Sequence, residues 1–233
     1  MSAVFKREFK SYFTGPIGYV YLAVCFFFQS LSFITMYSAG YPYIQYLFSE
    51  GFFIVLFTTP LLTMRIMSEE KRQKTDQLLF TSPVSITGVV MGKFFAAFSV
   101  FMLSYALTFI YQLILAANAN VDWMIYISNI IGVALLGAAL IGLGVFISSL
   151  TESQIVAAIL SFAVAFLLMK LDDIVSMINV EFITKIFGSI YFLGRYSAFM
   201  EGVLDYSNMI FFVSFAAIFL FLSVRVLDRK RWA

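Results

Sequence analysis

The feature that most constrains this chain is the length of its apolar stretches without charge. No Asp, Glu, Lys or Arg lies between Lys10 and Glu50, between Lys93 and Asp122, between Asp122 and Glu152, or between Asp205 and Arg225. About 20 consecutive apolar residues carry a helix across the hydrocarbon core of a bilayer. Read this way, the sequence predicts six spans. The first runs from Ile17 to about Tyr37, the second from roughly Leu47 to Met64, and the third from Phe94 to about Ala117. Ile125 to Leu150 is the fourth, Gln154 to Met169 a shorter fifth, and Tyr206 to Val224 the last. The expected fold class is an all-α integral membrane protein, with a single transmembrane domain over residues 1–233.

Composition excludes the soluble alternatives. Hydrophobic residues make up 62% of the 233 and charged residues 12%, with a mean hydropathy of +0.95. A soluble domain wets its surface with about 25% charged residues. Soluble enzymes and cytosolic binding modules are therefore out. The chain has no histidine, and its single cysteine, Cys25, lies inside an apolar run. That removes a disulfide framework, a zinc site built on Cys or His, and a nucleophile paired with histidine. No metal site and no catalytic residue are expected, and a net charge of +2 is too small to suggest nucleic acid.

The few charges orient the spans. With the N-terminus inside, twelve of the 15 Lys and Arg residues face the cytoplasm, leaving Lys170, Lys185 and Arg195 outside. The positive-inside bias thus puts both termini in the cytoplasm. The first apolar stretch is too long for the core of a cleavable signal peptide. Ahead of it, residues 1–14 place Phe5, Phe9, Tyr12 and Phe13 on one helical face and cations on another, which suits a helix in the cytoplasmic interface. Gly15-Pro16 then turns the chain into the bilayer. Residues 170–205 are too apolar for a solvated loop and too interrupted by Gly188, Gly194 and Gly202 for a seventh span. Short helices dipping back into the outer leaflet, buried against protein, are expected there.

The richest chemistry lies in the inner loop 65–93. Glu69, Glu70, Lys71, Arg72, Lys74 and Asp76 precede an apolar Leu78-Leu79-Phe80. Thr75 can cap a helix start with Asp76 in its first turn, and Pro83 forces a stop. The loop thus reads as a short helix with a charged and an apolar face, suited to a groove on a partner. A plain topology-setting charge cluster is the simpler alternative.

Other motifs carry little. Gly88 to Phe94 looks like a P-loop but has one residue too few between its glycines and Phe94 where Ser or Thr must hold magnesium. The pairs Glu69-Glu70 and Asp172-Asp173 point apart on a helix and lack a histidine or cysteine companion. No charge falls near the middle of a span, so an ion-coupled relay has no candidate. In the fourth span Ala134, Ala138 and Gly142 repeat every four residues beside Gly132, Gly137 and Gly144, a pattern for close helix packing.

The inner loop also carries a family resemblance. Pro60-Leu61-Leu62-Thr63-Met64-Arg65, Ser68 to Arg72, Lys74 to Leu79, Ser82 to Ser85 and Gly92-Lys93 together resemble the membrane subunit of type-2 ABC exporters, nearest the gliding-motility-type bacterial permeases. Ser148 to Gln154 resembles that family's loop between the fourth and fifth helices, and Gly202 to Asp205 with Val224 to Trp232 resembles its ending. Lys74 stands where the family commonly has glycine.

The resemblance implies a permease working with a second copy or a paralogue, two ABC ATPase subunits that hold the ATP and magnesium, and at times an extracellular accessory subunit. This chain itself would hold no cofactor. Ser68 to Pro83 would be the coupling helix, with Glu69, Glu70, Arg72, Thr75, Asp76, Leu78, Leu79 and Pro83 meeting the ATPase. Thr58, Thr59 and Ser161 would be polar points on the translocation path, and 182–204 the re-entrant outer helices. The setting would be a bacterial inner membrane. A membrane anchor that recruits an ATPase without transporting is the alternative, and a lipid-modifying transferase a weaker one that lacks a catalytic constellation.

Overall fold

The computed structural model describes residues 1–40, 43–74, 85–178 and 191–232, with side chains to 171 and 229 in the last two stretches. Every regular element among them is a helix. In chain order these are α1 (Ser2–Thr14), α2 (Pro16–Ser38), α3 (Gln45–Thr63), α4 (Ser68–Arg72) and α5 (Ile86–Ser104). There follow α6 (Ala106–Asn118), α7 (Trp123–Leu150), α8 (Gln154–Ile178), α9 (Phe192–Met200) and α10 (Tyr206–Trp232). Six helical stretches are long and apolar enough to cross a membrane: 16–38, 45–72, 86–118, 123–150, 154–171 and 206–229.

The boundaries depart from the charge-gap expectation at the third, fifth and last spans, the last helix running on to Trp232 past Val224. The third spanning stretch begins at Ile86, where Ser85 caps it by accepting from the Gly88 amide at 3.2 Å. Lys93 is therefore two turns inside a helix instead of at its mouth. The same stretch breaks at Tyr105, whose amide bonds back to Met102 in a tightened turn at 3.0 Å. The fifth helix runs on to Ile178, past the expected end at Met169. A cation ends a span only when it must reach water, and Lys93 finds its counter-charges inside the protein.

α7 is the axis of the bundle, packing on α3, α5, α8, α9 and α10. Its small residues make that possible by seating several neighbours. A side-chain carbon on Gly142 would come 3.2 Å from the Ala216 carbonyl of α10, and one on Gly132 would come 2.6 Å from Phe199 of α9. Gly137 admits the Phe101 ring of α5, and Gly144 admits Thr63 of α3. Ala138 packs against the core and Ala134 is half-buried. Tight packing without bulky side chains is what lipid demands, since water is not there to drive the helices together.

α9 lies at the end of this bundle where α7 begins. Its Phe192, Tyr196 and Phe199 are buried, and Tyr196 donates to the Phe48 carbonyl at 3.3 Å. Phe199 meets Gly132, nine residues along α7 from Trp123, or about 14 Å at 1.5 Å per residue. This part of the outer segment is thus a buried helix and no solvated loop. Residues 182–190 of the expected re-entrant helices lie outside the described residues.

Candidate functional site

The end of a helix leaves its last carbonyls without intrahelical donors. At the C-terminal end of α3 that ordinary deficit builds a junction. The Leu62 carbonyl accepts from the Tyr12 hydroxyl of α1 at 2.9 Å. The Met64 carbonyl accepts from the Ser148 hydroxyl of α7 at 3.2 Å and from the Ser68 hydroxyl. The Ile66 carbonyl accepts from the Lys93 ammonium of α5 at 2.7 Å. Side chains of four other helices, α1, α4, α5 and α7, thus cap one helix end, and the cap sits at the root of the loop 65–93.

Ser148 does more than cap. Its oxygen accepts from the Met67 and Ser68 amides at 3.0 and 3.1 Å while its proton goes to Met64. A hydroxyl offers one donor and two acceptor positions, so this one is saturated. Lys71, buried, donates to the Ser149 carbonyl. The turn between α7 and α8 is thereby fastened to α4.

The charged half of the junction joins α1, α4 and α5. Lys93 is 2% exposed and pairs with Glu70 at 3.0 Å and Glu8 at 3.3 Å. The same two carboxylate oxygens also receive Arg7, at 2.9 Å from Glu70 and 2.6 Å from Glu8. Two cations and two carboxylates cancel, which is the condition for keeping an ammonium away from water. Burial works to lower the Arg7 basicity, but the hydrogen bond and charge of Glu8, with the charge of Glu70, outweigh it and raise its pKa. Burial, helped by the charge of Glu8 and opposed by Arg65, holds the Tyr12 phenol well above its usual range, so it stays a donor. Beside the quartet, Arg65 pairs with Glu69 at 2.9 Å and Gln73 reaches Glu69 at 3.4 Å.

α1 meets this site on its own buried face. Val4 lies against Gly92, where an added side-chain carbon would come 3.0 Å from the Val4 one. Phe5, Phe9 and Phe13 stack along the other side of α1 at centroid distances of 5.9 and 5.2 Å. The chain leaves α4 through Lys74, which adopts a left-handed φ of 56°. Glycine adopts that conformation without penalty, whereas a lysine there carries the cost of its side-chain carbon.

Of the residues singled out in the sequence, the structure gathers Glu69 and Glu70 at this junction, with Arg72 on the same short helix. Thr75, Asp76, Leu78, Leu79 and Pro83 lie outside the described residues. Thr58 and Thr59 are buried, with hydroxyls donating to Ile54 at 2.7 Å and Val55 at 2.6 Å within their own helix. Ser161 is buried beside Thr59 in a cavity of about 10 Å³ between α3, α7 and α8. Gly88 to Phe94 is helix interior. Among the described residues no three His, Cys, Asp or Glu side chains come together.

Sequence reasoning missed Arg7, Glu8, Tyr12 and Lys93 as members of the site. The available signal was a carboxylate, Glu8, placed among interfacial cations in α1, and a lysine eight residues into a helix capped by Ser85. No protein-family model matches the chain, and no curated protein matches it significantly.

Proposed function

We propose that this chain is the permease subunit of an ATP-driven ABC exporter, in which a separate ATPase subunit works the transmembrane helices through the inner loop. The observation that carries this reading is the junction. The root of the loop is bonded to α1 through Glu70 and Arg7, to α5 through Lys93, and to α7 through Ser148. A displacement of Ser68 to Pro83 would reach three helices at once, α1 and α5 through charge-assisted bonds, which are the stronger polar contacts, and α7 through a hydroxyl. A bundle with two packed arrangements can turn such a push into a change of access.

In this reading ATP and magnesium belong to the partner ATPase, and this chain breaks no bond. The functional unit pairs two permease copies, or a copy with a paralogue, in a bacterial inner membrane with both termini inside, and an extracellular accessory subunit joins in some assemblies. Spans without charge near their middle suit an apolar to weakly polar cargo.

The test is a pull-down of the tagged chain from its host membrane in mild detergent, beside the Leu78→Asp/Leu79→Asp variant. An ATPase with Walker motifs is expected with the wild type and absent with the variant. Its absence from the wild type, while other complexes survive the detergent, would refute the assignment. Co-purification without ATP-dependent movement of any cargo in liposomes would leave a membrane anchor.

A further inference from the structure

Two glutamines in the membrane interior are unaccounted for by the junction. Gln29 on α2 is 1% exposed and Gln112 on α6 is 0% exposed. Neither the amide nitrogen nor the carbonyl oxygen of either has a hydrogen-bond partner. Gln29 stands thirteen residues from Pro16 and nine from Ser38, close to the middle of the first span. A carboxamide without a partner in hydrocarbon is costly, and four such atoms do not persist in a core for packing alone.

The two carboxamides project to the same side of one helix seam. α2 and α6 belong to the first and third spans and so run in the same direction. They touch where the Ser30 and Tyr111 hydroxyls lie 2.7 Å apart and where the Phe33 ring stacks on Tyr111 at 4.4 Å. Gln29 precedes Ser30, and Gln112 follows Tyr111. On parallel right-handed helices, the residue before the contact on one and the residue after it on the other turn about 100° to the same side. Both amides therefore project to one side of the seam, about 3 Å apart in height. Thr108, one turn below Gln112 on its face, meets the Tyr126 hydroxyl of α7 at 3.2 Å, so α7 closes that side. Asn129, three residues further along α7, has an unpartnered side-chain oxygen. Among the described residues the other buried side-chain atoms of this kind are hydroxyls, including those of Ser128 and Ser161.

We infer that Gln29 and Gln112 form a hydrogen-bonding site within the membrane for an uncharged head group, bearing amide or hydroxyl groups, on an apolar body. A carboxamide offers a donor and an acceptor together, which matches amides and hydroxyls. A charged head would find no counter-ion on either helix, because neither α2 nor α6 carries a charged side chain. Entry is through the α2–α6 seam from the lipid, where Phe27, Phe28, Leu31 and Ile34 of α2 are exposed. The site names a cargo chemistry for the exporter reading and rests on it for the word cargo; binding itself needs no ATPase.

The experiment uses the chain alone in lipid nanodiscs, with a photoactivatable ceramide as probe. This uncharged lipid carries one amide and two hydroxyls. A photoactivatable alkyl ester of the same chain length is the reference. The ceramide is expected to label α2 and α6 peptides well above the ester. Gln29→Leu/Gln112→Leu should reduce that labelling about tenfold, the loss of one or two net hydrogen bonds, with the thermal midpoint unchanged or raised. Gln29→Met/Gln112→Met is the second variant, with a more adaptable side chain. Equal labelling by the ester, no ceramide labelling of these helices, or undiminished labelling in a folded variant overturns the site. Failure of both variants to fold overturns it too, because the amides would then serve the fold. Failure of the ATPase pull-down would sink the exporter reading and leave this measurement intact.

Discussion

Lys93→Met is the sharpest perturbation of the junction. It removes an ammonium that is 2% exposed and bonded to Glu70 at 3.0 Å, Glu8 at 3.3 Å and the Ile66 carbonyl at 2.7 Å. Methionine fills nearly the same volume, so the cost is electrostatic. Two carboxylates, each 18% exposed, are left facing one another with Arg7 between them, and Arg7 is 55% exposed and well screened. Leaving a buried charge without its partner costs about 3–5 kcal/mol. The residual exposure and Arg7 place this case near the lower end, at about 3 kcal/mol. For a chain of this size that lowers the thermal midpoint by roughly 6–12 °C.

The assay is thermal unfolding of the detergent-purified chain, with a tag accessibility check that both termini remain on their original side. Glu8→Gln/Glu70→Gln added to Lys93→Met removes the stranded charges and should recover more than half of the loss. A midpoint within about 1 °C of wild type for Lys93→Met alone would refute the argument. Lys93 would then be a solvated flank whose pairing contributes nothing.

Three further outcomes follow from the same region. Ser148→Ala strands the Met67 and Ser68 amides, at a cost of about 1–3 kcal/mol, and should speed hydrogen exchange at Met67 and Ser68 before any global change. Tyr12→Phe should lose about 1 kcal/mol. The folded phenol titrates above its usual 10.0, so that loss should be the same throughout the range below pH 10 and fade only above it. A loss that varies between pH 6 and pH 9 would contradict this. Lys74→Gly relieves a left-handed backbone at φ 56° and should stabilise the stem by about 1 kcal/mol, read as a higher midpoint or slower proteolysis after α4.

Much of this architecture was legible from the chain. The six spans emerged from charge gaps, and Glu69 and Glu70 were marked by their place in the inner loop. The reading failed where a charge was treated as a boundary. Lys93 looked like the mouth of the third span, yet the helix starts at Ile86 and carries the lysine inward to Glu70 and Glu8. The small residues of the fourth span were legible as packing residues, but not that Gly132, Gly137, Gly142 and Gly144 seat four different helices. Gln29 and Gln112 carried no flag, because a single amide in an apolar run is unremarkable until its partners are counted.

The division has a physical cause. Solubility in lipid is a property of each stretch by itself, summed residue by residue over about 20 positions, so composition and order were enough to set the number of spans and the all-helical class. Satisfying polar groups is pairwise and long-range. Arg7 finds Glu70 across 63 residues, and Ser148 finds Met67 across 81. No local pattern encodes such pairs. Only the packed bundle, by bringing α1, α3, α5 and α7 together at one end, decided which charges are buried together and which helix end they cap.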